Sequence, residues 1–316
     1  MYNNKNNLLR KDEHSMSIMY LAKINLNSRI FDVYRDELKI SDVTDRVYKK
    51  FNMEEVFSNT SNEKYTDSMG NTKRYVRKSE YRIVELDKKE NMVITGKIVR
   101  AFNKLTEKFN KVSNKMEHIT VEESASIYFY FDTKREMITF CERQSFGYNQ
   151  FMKAFNAILN KCVPEYEFEV FLEKDPNLLE AKIKSLKVVN KIKATLIPPN
   201  SNEEDLQDLR RGLEYIGQCQ DMNASKMNVE MSTTDKESSL KMESKYMKDI
   251  FKAVSRGYGD VTAIGKNHNG REQVVNSNQD AAYTSIINDT LDKKDYNQEA
   301  KQFIDIYIAT IINIGY

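Results

Sequence analysis

The 316-residue sequence is poor in the residues that break or staple a chain, with 10 glycines, 4 prolines and 3 cysteines. So little Gly and Pro excludes a low-complexity chain and points to regular elements joined by short turns. No internal period of the solenoid kind recurs. Cys141, Cys162 and Cys219 stand far apart with no CxxC pair, which fits buried free thiols in a reducing cytoplasm. His14, His118 and His268 form no HxxxH or His–Cys group, so no metal site and no cofactor is expected. No run of 18 apolar residues occurs, so no membrane-spanning helix is expected. The first fifteen residues, MYNNKNNLLRKDEHS, are polar, so no secretory signal is expected either, and the expected location is cytoplasmic. The nearest approach to an apolar run, FIDIYIATIINIGY at 303–316, carries Asp305 and is expected to be a buried C-terminal helix.

Catalytic signatures are missing as well. There is no glycine-rich phosphate loop ending in Lys-Ser/Thr, no GxGxxG and no GxSxG. Gly257-Tyr258-Gly259-Asp260 follows a helix and precedes a strand, the wrong order for a phosphate cradle, and reads as a helix C-cap. Glu80, Glu85 and Asp87, beside Lys88, are the only candidate for a metal-dependent nuclease, and only if the fold brings them together. Glu165, Glu167 and Glu169 alternate along EYEFEV and read as the solvated face of an edge strand. An enzyme is therefore the third choice.

What is present is core material and an uneven charge. Apolar residues make up 40% and charged residues 30%, enough to build a packed interior. The net charge of +2 conceals a step: residues 1–200 hold 35 Lys+Arg against 28 Asp+Glu, and residues 201–316 hold 14 against 19. The step falls near Pro198-Pro199 and suggests a boundary between a basic α+β domain, 1–199, and a helix-rich C-terminal domain, 200–316, that is a candidate dimerisation element.

Alternation marks a strand over 17–26, and Val43, Val47 and Phe51 mark a helix over 41–52. The polar stretch 57–72 reads as a loop. A long hairpin follows, 73–87 and 91–102, and a second at 124–131 and 136–142. Then come a helix at 147–161, a strand at 166–172, a short helix from Pro176 and a strand at 187–197. Ser201 or Asn202 is expected to cap a further helix. A strand at 226–232, an amphipathic helix at 237–256, a small hairpin at 258–266 and 271–276, and a last helix at 296–313 complete the reading. That last helix carries Phe303, Ile304, Tyr307, Ile308, Ile311 and Ile312, apolar nearly all round, and needs burial in the fold or in a homodimer.

The basic segments are the strongest functional signal. Residues 73–115 hold 13 Lys+Arg and 5 Asp+Glu. Alternation puts Lys73, Tyr75, Arg77 and Tyr81 on one face of the first hairpin arm and Arg74, Lys78 and Arg82 on the other. Arg100, Lys104, Lys108, Lys111 and Lys115 continue the charge at a helix-like spacing, and Lys182, Lys184, Lys187, Lys191 and Lys193 form a second run without acids. Interleaved cations and tyrosines suit a polyanion, because cations release counterions from phosphates while rings stack on bases. The other readings are a solvated surface and an acidic-protein or lipid partner. No base-reading motif is present, so binding would be directed at the backbone.

The order from SIYFYFD through EMITFCERQSFG, YNQFMKAFNAIL, YEFEVFLEKD and KVVNKIKATLI resembles that of the RexA-like phage-exclusion proteins. The later amphipathic helix, GYGDVTAIGKNHNGREQVV hairpin and final helix extend the resemblance over about 120–310. It implies a cytoplasmic, dimeric, DNA-binding sensor that signals to a membrane-protein partner during phage infection. No catalytic motif defines that family, so no residue role carries over, and the basic hairpin lies outside the likeness.

These readings together predict an α+β fold, a largely antiparallel sheet with helices followed by a smaller helix-rich part with one hairpin. The leading expectation is non-enzymatic, largely sequence-independent DNA binding in anti-phage defence by a homodimer. Its phosphate contacts are Lys73, Arg74, Arg77, Lys78, Arg82, Arg100 and Lys104, with Lys184, Lys187, Lys191 and Lys193 secondary. The runner-up is a protein-interaction or regulatory subunit of a defence system.

Overall fold

The computed structural model describes residues 16–67, 70–200, 213–235, 237–289 and 291–314. The helix expected from Ser201 or Asn202, and His14, lie outside them. The fold is α+β and every strand pairing is antiparallel.

Its centre is β1 (Met16–Leu26). One edge of β1 pairs with β6 (Met137–Cys141), and the other pairs in succession with β12 (Thr284–Asn288) and β7 (Phe168–Leu172). From β6 the sheet runs through β5 (Lys115–Asp132), β4 (Val93–Asn110) and β3 (Thr72–Lys89) to β2 (Val56–Thr66). A second sheet has the order β11-β10-β8-β9, built from Glu272–Asn276, Gly259–Asn267, Leu186–Leu196 and Met227–Ser232.

The large sheet is covered on both faces, and strand alternation assigns the residues. Tyr20, Ala22, Ile24 and Leu26 join Phe129, Phe131, Ile138 and Phe140 in the main core. There α2 (Ile40–Lys50) and α3 (Tyr148–Cys162) pack on them, with the Phe140 and Phe151 rings stacked at 4.0 Å. Met19, Leu21, Tyr130, Met137 and Cys141 point the other way, onto Tyr296, Phe303, Ile304 and Tyr307 of the last helix, Lys293–Ile314. That helix thus finds its cover within the fold. Three-residue and four-residue spacings give a helix one apolar stripe, and its opposite face leaves Ile306 59% exposed. The side chain of Ile312 lies outside the described residues.

The charge step near Pro198-Pro199 is not matched by a break between sheets. β8 pairs with both β9 and β10, and β12 closes on β1, so both sheets draw strands from the two sides of residue 199. The remaining helices are α1 (Ile30–Tyr34), α4 (Pro176–Lys184), α5 (Glu214–Asp221), α6 (Lys245–Ser255) and α7 (Ser277–Asp280), the final one being α8. α6 is shorter than the expected 237–256, because Ser244 caps it by accepting from the Met247 N–H, and Leu240 joins β8 through its N–H instead. Gly257 then turns the chain at φ +71, and Gly259 lets β10 approach β8 where a Cβ would lie 2.0 Å from the Thr195 carbonyl oxygen.

Two expectations are corrected. Residues 57–66 are not a loop but most of β2, paired residue for residue with β3 from Val56↔Arg82 to Thr66↔Thr72. Residues 103–115 do not continue a helix-like pattern but extend β4 to Asn110 and turn into β5. A four-residue spacing is even, so it places Arg100, Lys104 and Lys108 on one face of a strand as readily as on a helix. Eighteen-residue strands measure about 60 Å, and their outer halves run well beyond the core.

Candidate nucleic-acid interface

The projecting part is an arm of two hairpins. β3 pairs with β4 only as far as Ser79↔Phe102; beyond that point β2–β3 and β4–β5 continue as separate ribbons. Asn103 marks the parting, accepting from the Lys78 N–H and donating to the Val76 carbonyl at 3.1 Å. Near the tips the Tyr65 and His118 rings lie 4.7 Å apart.

The cations on this arm fall into three groups. Some are neutralised: Lys73 by Asp67 at 3.0 Å, Arg77 by Glu63 at 2.8 Å, Arg82 by Glu80, and Lys104 by Glu123 at 3.1 Å. Arg100 is not a surface contact at all. It is 4% exposed, and its guanidinium donates to Ser79 Oγ, the Ser145 carbonyl and Gln150 Oε1. The third group is exposed with no ion pair among the described residues: Lys64, Arg74 and Lys78 on the β2–β3 ribbon and Lys108, Lys111 and Lys115 around the β4–β5 turn. Lys64 and Arg74 are direct cross-strand partners. Like charges placed so destabilise a sheet by a few tenths to about 1 kcal/mol.

The β4–β5 tip has a different character. Asn110 Oδ1 accepts from the Val112 and Ser113 N–H groups, while Asn110 Nδ2 and Ser113 Oγ both donate to Glu117. This network fixes the turn and holds Val112 outward, 98% exposed, above the half-exposed cross-strand pair Phe109↔Met116.

At the root of the arm is a cleft of about 560 Å³ lined by Arg77, Arg100, Phe102, Lys104 and the start of α3. The second basic run does not reach it. Lys184 is paired with Glu180 and lines a separate cleft against α6, Lys191 and Lys193 share Glu230 on β9, and Lys187 is exposed on β8.

The carboxylates singled out for metal chemistry do not assemble. Glu80, Glu85 and Asp87 are tied to Arg82, Lys97 and Lys89 respectively, and no group of three potential ligands converges among the described residues. Glu165 binds Arg46 and Lys50, and Glu169 binds Lys226, so two of the three EYEFEV glutamates join neighbouring elements rather than face solvent alone.

Sequence reasoning missed a buried ionic hub where both sheets and α8 meet. Glu173 accepts from the Tyr307 hydroxyl at 2.6 Å, Lys23 donates to Tyr258 Oη at 2.9 Å, and Asn200 donates to Glu136 at 2.7 Å. Burial raises the Glu173 pKa, against the pull of Lys23, the Tyr307 hydroxyl and Lys174. Burial likewise lowers Lys174 to about 8, against Glu173 and Asp260. Burial also opposes the charge on Lys23, but Tyr258, Glu136 and Glu173 outweigh it and hold that ammonium above its ordinary value. The only sequence sign of this hub is the acid–base pair Glu173-Lys174 at the end of an apolar strand. No described helix is long and apolar enough to cross a membrane.

A search of the curated proteins gives no match. Residues 37–304, running from just before α2 into α8, match the family described as Domain of unknown function (DUF4747), and the chain belongs to that family.

Proposed function

We propose that the protein binds nucleic acid, duplex DNA before RNA, by laying its two-hairpin arm along the phosphate backbone. The observation that carries this is the unneutralised cross-strand pair Lys64↔Arg74, with Lys78 four residues further along the same outer face. A ribbon that holds like charges together against their repulsion is suited to a polyanion, which relieves the repulsion on binding. Thr60 and Asn62, on the same face, supply neutral donors for phosphate oxygens. The apolar tip at Val112 between lysines suits insertion against bases, as in ribbons that wedge a base step. Nothing on the arm reads base edges, so recognition is of the backbone. The role in anti-phage defence rests on the resemblance of residues 120–310 to phage-exclusion proteins.

The test is a titration of labelled duplex DNA and single-stranded RNA by fluorescence anisotropy at 50 and 200 mM salt. Three phosphate contacts imply a salt slope of at least about −2.7, or roughly 40-fold weaker duplex binding across that range. Absence of binding at the lower salt would leave the arm a solvated surface.

A second reading, a homodimer or other protein assembly, is favoured by one observation. Ile18 of β1 and Ile286 of the edge strand β12 are direct cross-strand partners and are 39% and 68% exposed.

A further inference from the structure

The cleft at the root of the arm carries a charge arrangement that backbone gripping does not explain. Arg100 is buried, yet its acceptors Ser79, Ser145 and Gln150 are all neutral, the face of the Phe102 ring lies 4.2 Å away, and no ion pair reaches it among the described residues. A guanidinium withdrawn from water without a counter-charge is unfavourable, and proteins pair such groups. Arg77 adds a second irregularity: its Nε is buried without an acceptor, although its Nη1 holds Glu63 and its Nη2 donates to the Tyr75 hydroxyl. The third element is the start of α3, a 15-residue helix capped by Gly147, with Tyr148, Asn149 and Gln150 lining the cleft. The Gln150 N–H already donates to the Gly147 carbonyl at 3.1 Å, which leaves the N–H groups of Tyr148 and Asn149, and together with the helix dipole they favour an anion.

The remaining walls narrow the class of ligand. The volume of about 560 Å³ exceeds what an inorganic anion fills and suits a mononucleotide. Tyr148 contributes aromatic surface, whereas Phe102 is 4% exposed with the Arg100 guanidinium over its ring at 4.2 Å. We propose that this cleft binds a 5′-phosphate monoester of a nucleotide, either free or at the end of a strand. The α3 N-terminus takes the phosphate oxygens, Arg100 supplies the fixed charge behind them, and the Tyr148 ring receives the base. Glu123, which holds Lys104, and Glu142 also line the cleft and limit the negative charge that the site tolerates.

This site stands on residues other than the exposed arm cations, so the two ideas fail separately. The experiment is calorimetric titration of the intact protein with adenosine 5′-monophosphate, adenosine, and a short single strand with and without a 5′-phosphate. Removing Arg100 risks unfolding, so the variant is Asn149→Asp. Asn149 is exposed in the first turn of α3, where a carboxylate favours the helix but repels a phosphate. The expected result is saturable binding of the monophosphate, with adenosine and the Asn149→Asp protein each weaker by about tenfold or more. The variant's thermal midpoint should be unchanged or higher. Tighter binding of the 5′-phosphorylated strand than of the free nucleotide would assign the site to strand ends; the reverse would assign it to free nucleotides. Lys64→Glu should leave monophosphate binding intact. Equal binding of adenosine and its monophosphate, no binding of any phosphorylated probe, or an unaffected Asn149→Asp protein would overturn the proposal.

Discussion

Lys64→Glu separates a functional arm from a merely soluble one, because stability and binding should respond to it with opposite signs only if the arm is functional. In the native ribbon Lys64 faces Arg74 directly across β2 and β3, both exposed and without a carboxylate partner among the described residues. The substitution turns a repulsive cross-strand pair into an attractive one. The structure should therefore gain about 0.2–1 kcal/mol, toward the low end because both groups are hydrated. Binding should move the other way. One phosphate contact is lost, which lowers the magnitude of the salt slope by about 0.9 and, extrapolated from 1 M to 0.1 M salt, weakens duplex binding about eightfold. The introduced carboxylate would also compete with phosphate for Arg74, so the slope should fall by between about 0.9 and 1.8 and the affinity by up to about 60-fold.

The assay pairs urea denaturation with anisotropy titrations over a salt series, using Lys64→Gln as the control that loses the contact without creating an ion pair. A stabilised protein with weaker, less salt-dependent binding supports the reasoning. A destabilised Lys64→Glu protein would mean that the cross-strand repulsion is not what the register implies. A stabilised protein with unaltered affinity and slope would remove the β2–β3 ribbon from the interface and leave only the other cations to account for any binding.

Tyr307→Phe should cost about 1–3 kcal/mol in urea denaturation, because Glu173 Oε2 loses its donor in a site that water does not reach; an unchanged midpoint would show that the carboxyl is held by its other neighbours. Lys174 should leave a signature in pH dependence. Its folded pKa, about 8, lies below the ordinary 10.5. Between those values the unfolded chain binds more protons, so stability should rise from about pH 8 to 9.5 by up to about 1.4 kcal/mol per unit. Lys174→Met should flatten that rise, and an identical slope in the variant would assign it to other groups. Ile286→Lys should convert any homodimer to monomer in light scattering without lowering the thermal midpoint, and a monomeric native protein would end the assembly reading.

The core was legible from sequence because burial imposes a period. β1 shows it most fully: even positions feed the main core and odd positions feed the α8 side, so an apolar alternation over 17–26 marked the strand even though both faces are covered. The α8 stripe, the Asp132-Thr133-Lys134-Arg135 turn and the Pro176 helix start were visible for the same local reasons. β2 was not, because beyond Phe57 the ribbon lies largely in water and needs no apolar period; its main constraint is backbone pairing with β3, which composition does not encode. The short β12 was missed too, since TSIIN is five residues long and its strand character comes from β1.

The candidate interface was legible in kind but not in detail, and the difference lies in pairing. A sequence displays Arg77, Arg82 and Lys104 as equal cations, while the fold assigns each a carboxylate from a neighbouring strand or the same one. It displays Lys64 as one lysine in a polar loop, while the fold sets it opposite Arg74. Net charge over 73–115 therefore overstates the positive field at the neutralised positions and omits the position where repulsion is concentrated. Arg100 inverts the error: its charge was read as surface, yet it is withdrawn from water against neutral acceptors. In both cases what singles out a residue is not its charge but the absence of a described counter-charge at a place where the fold holds it fixed, and that property exists only once strands 2 to 5 are in register.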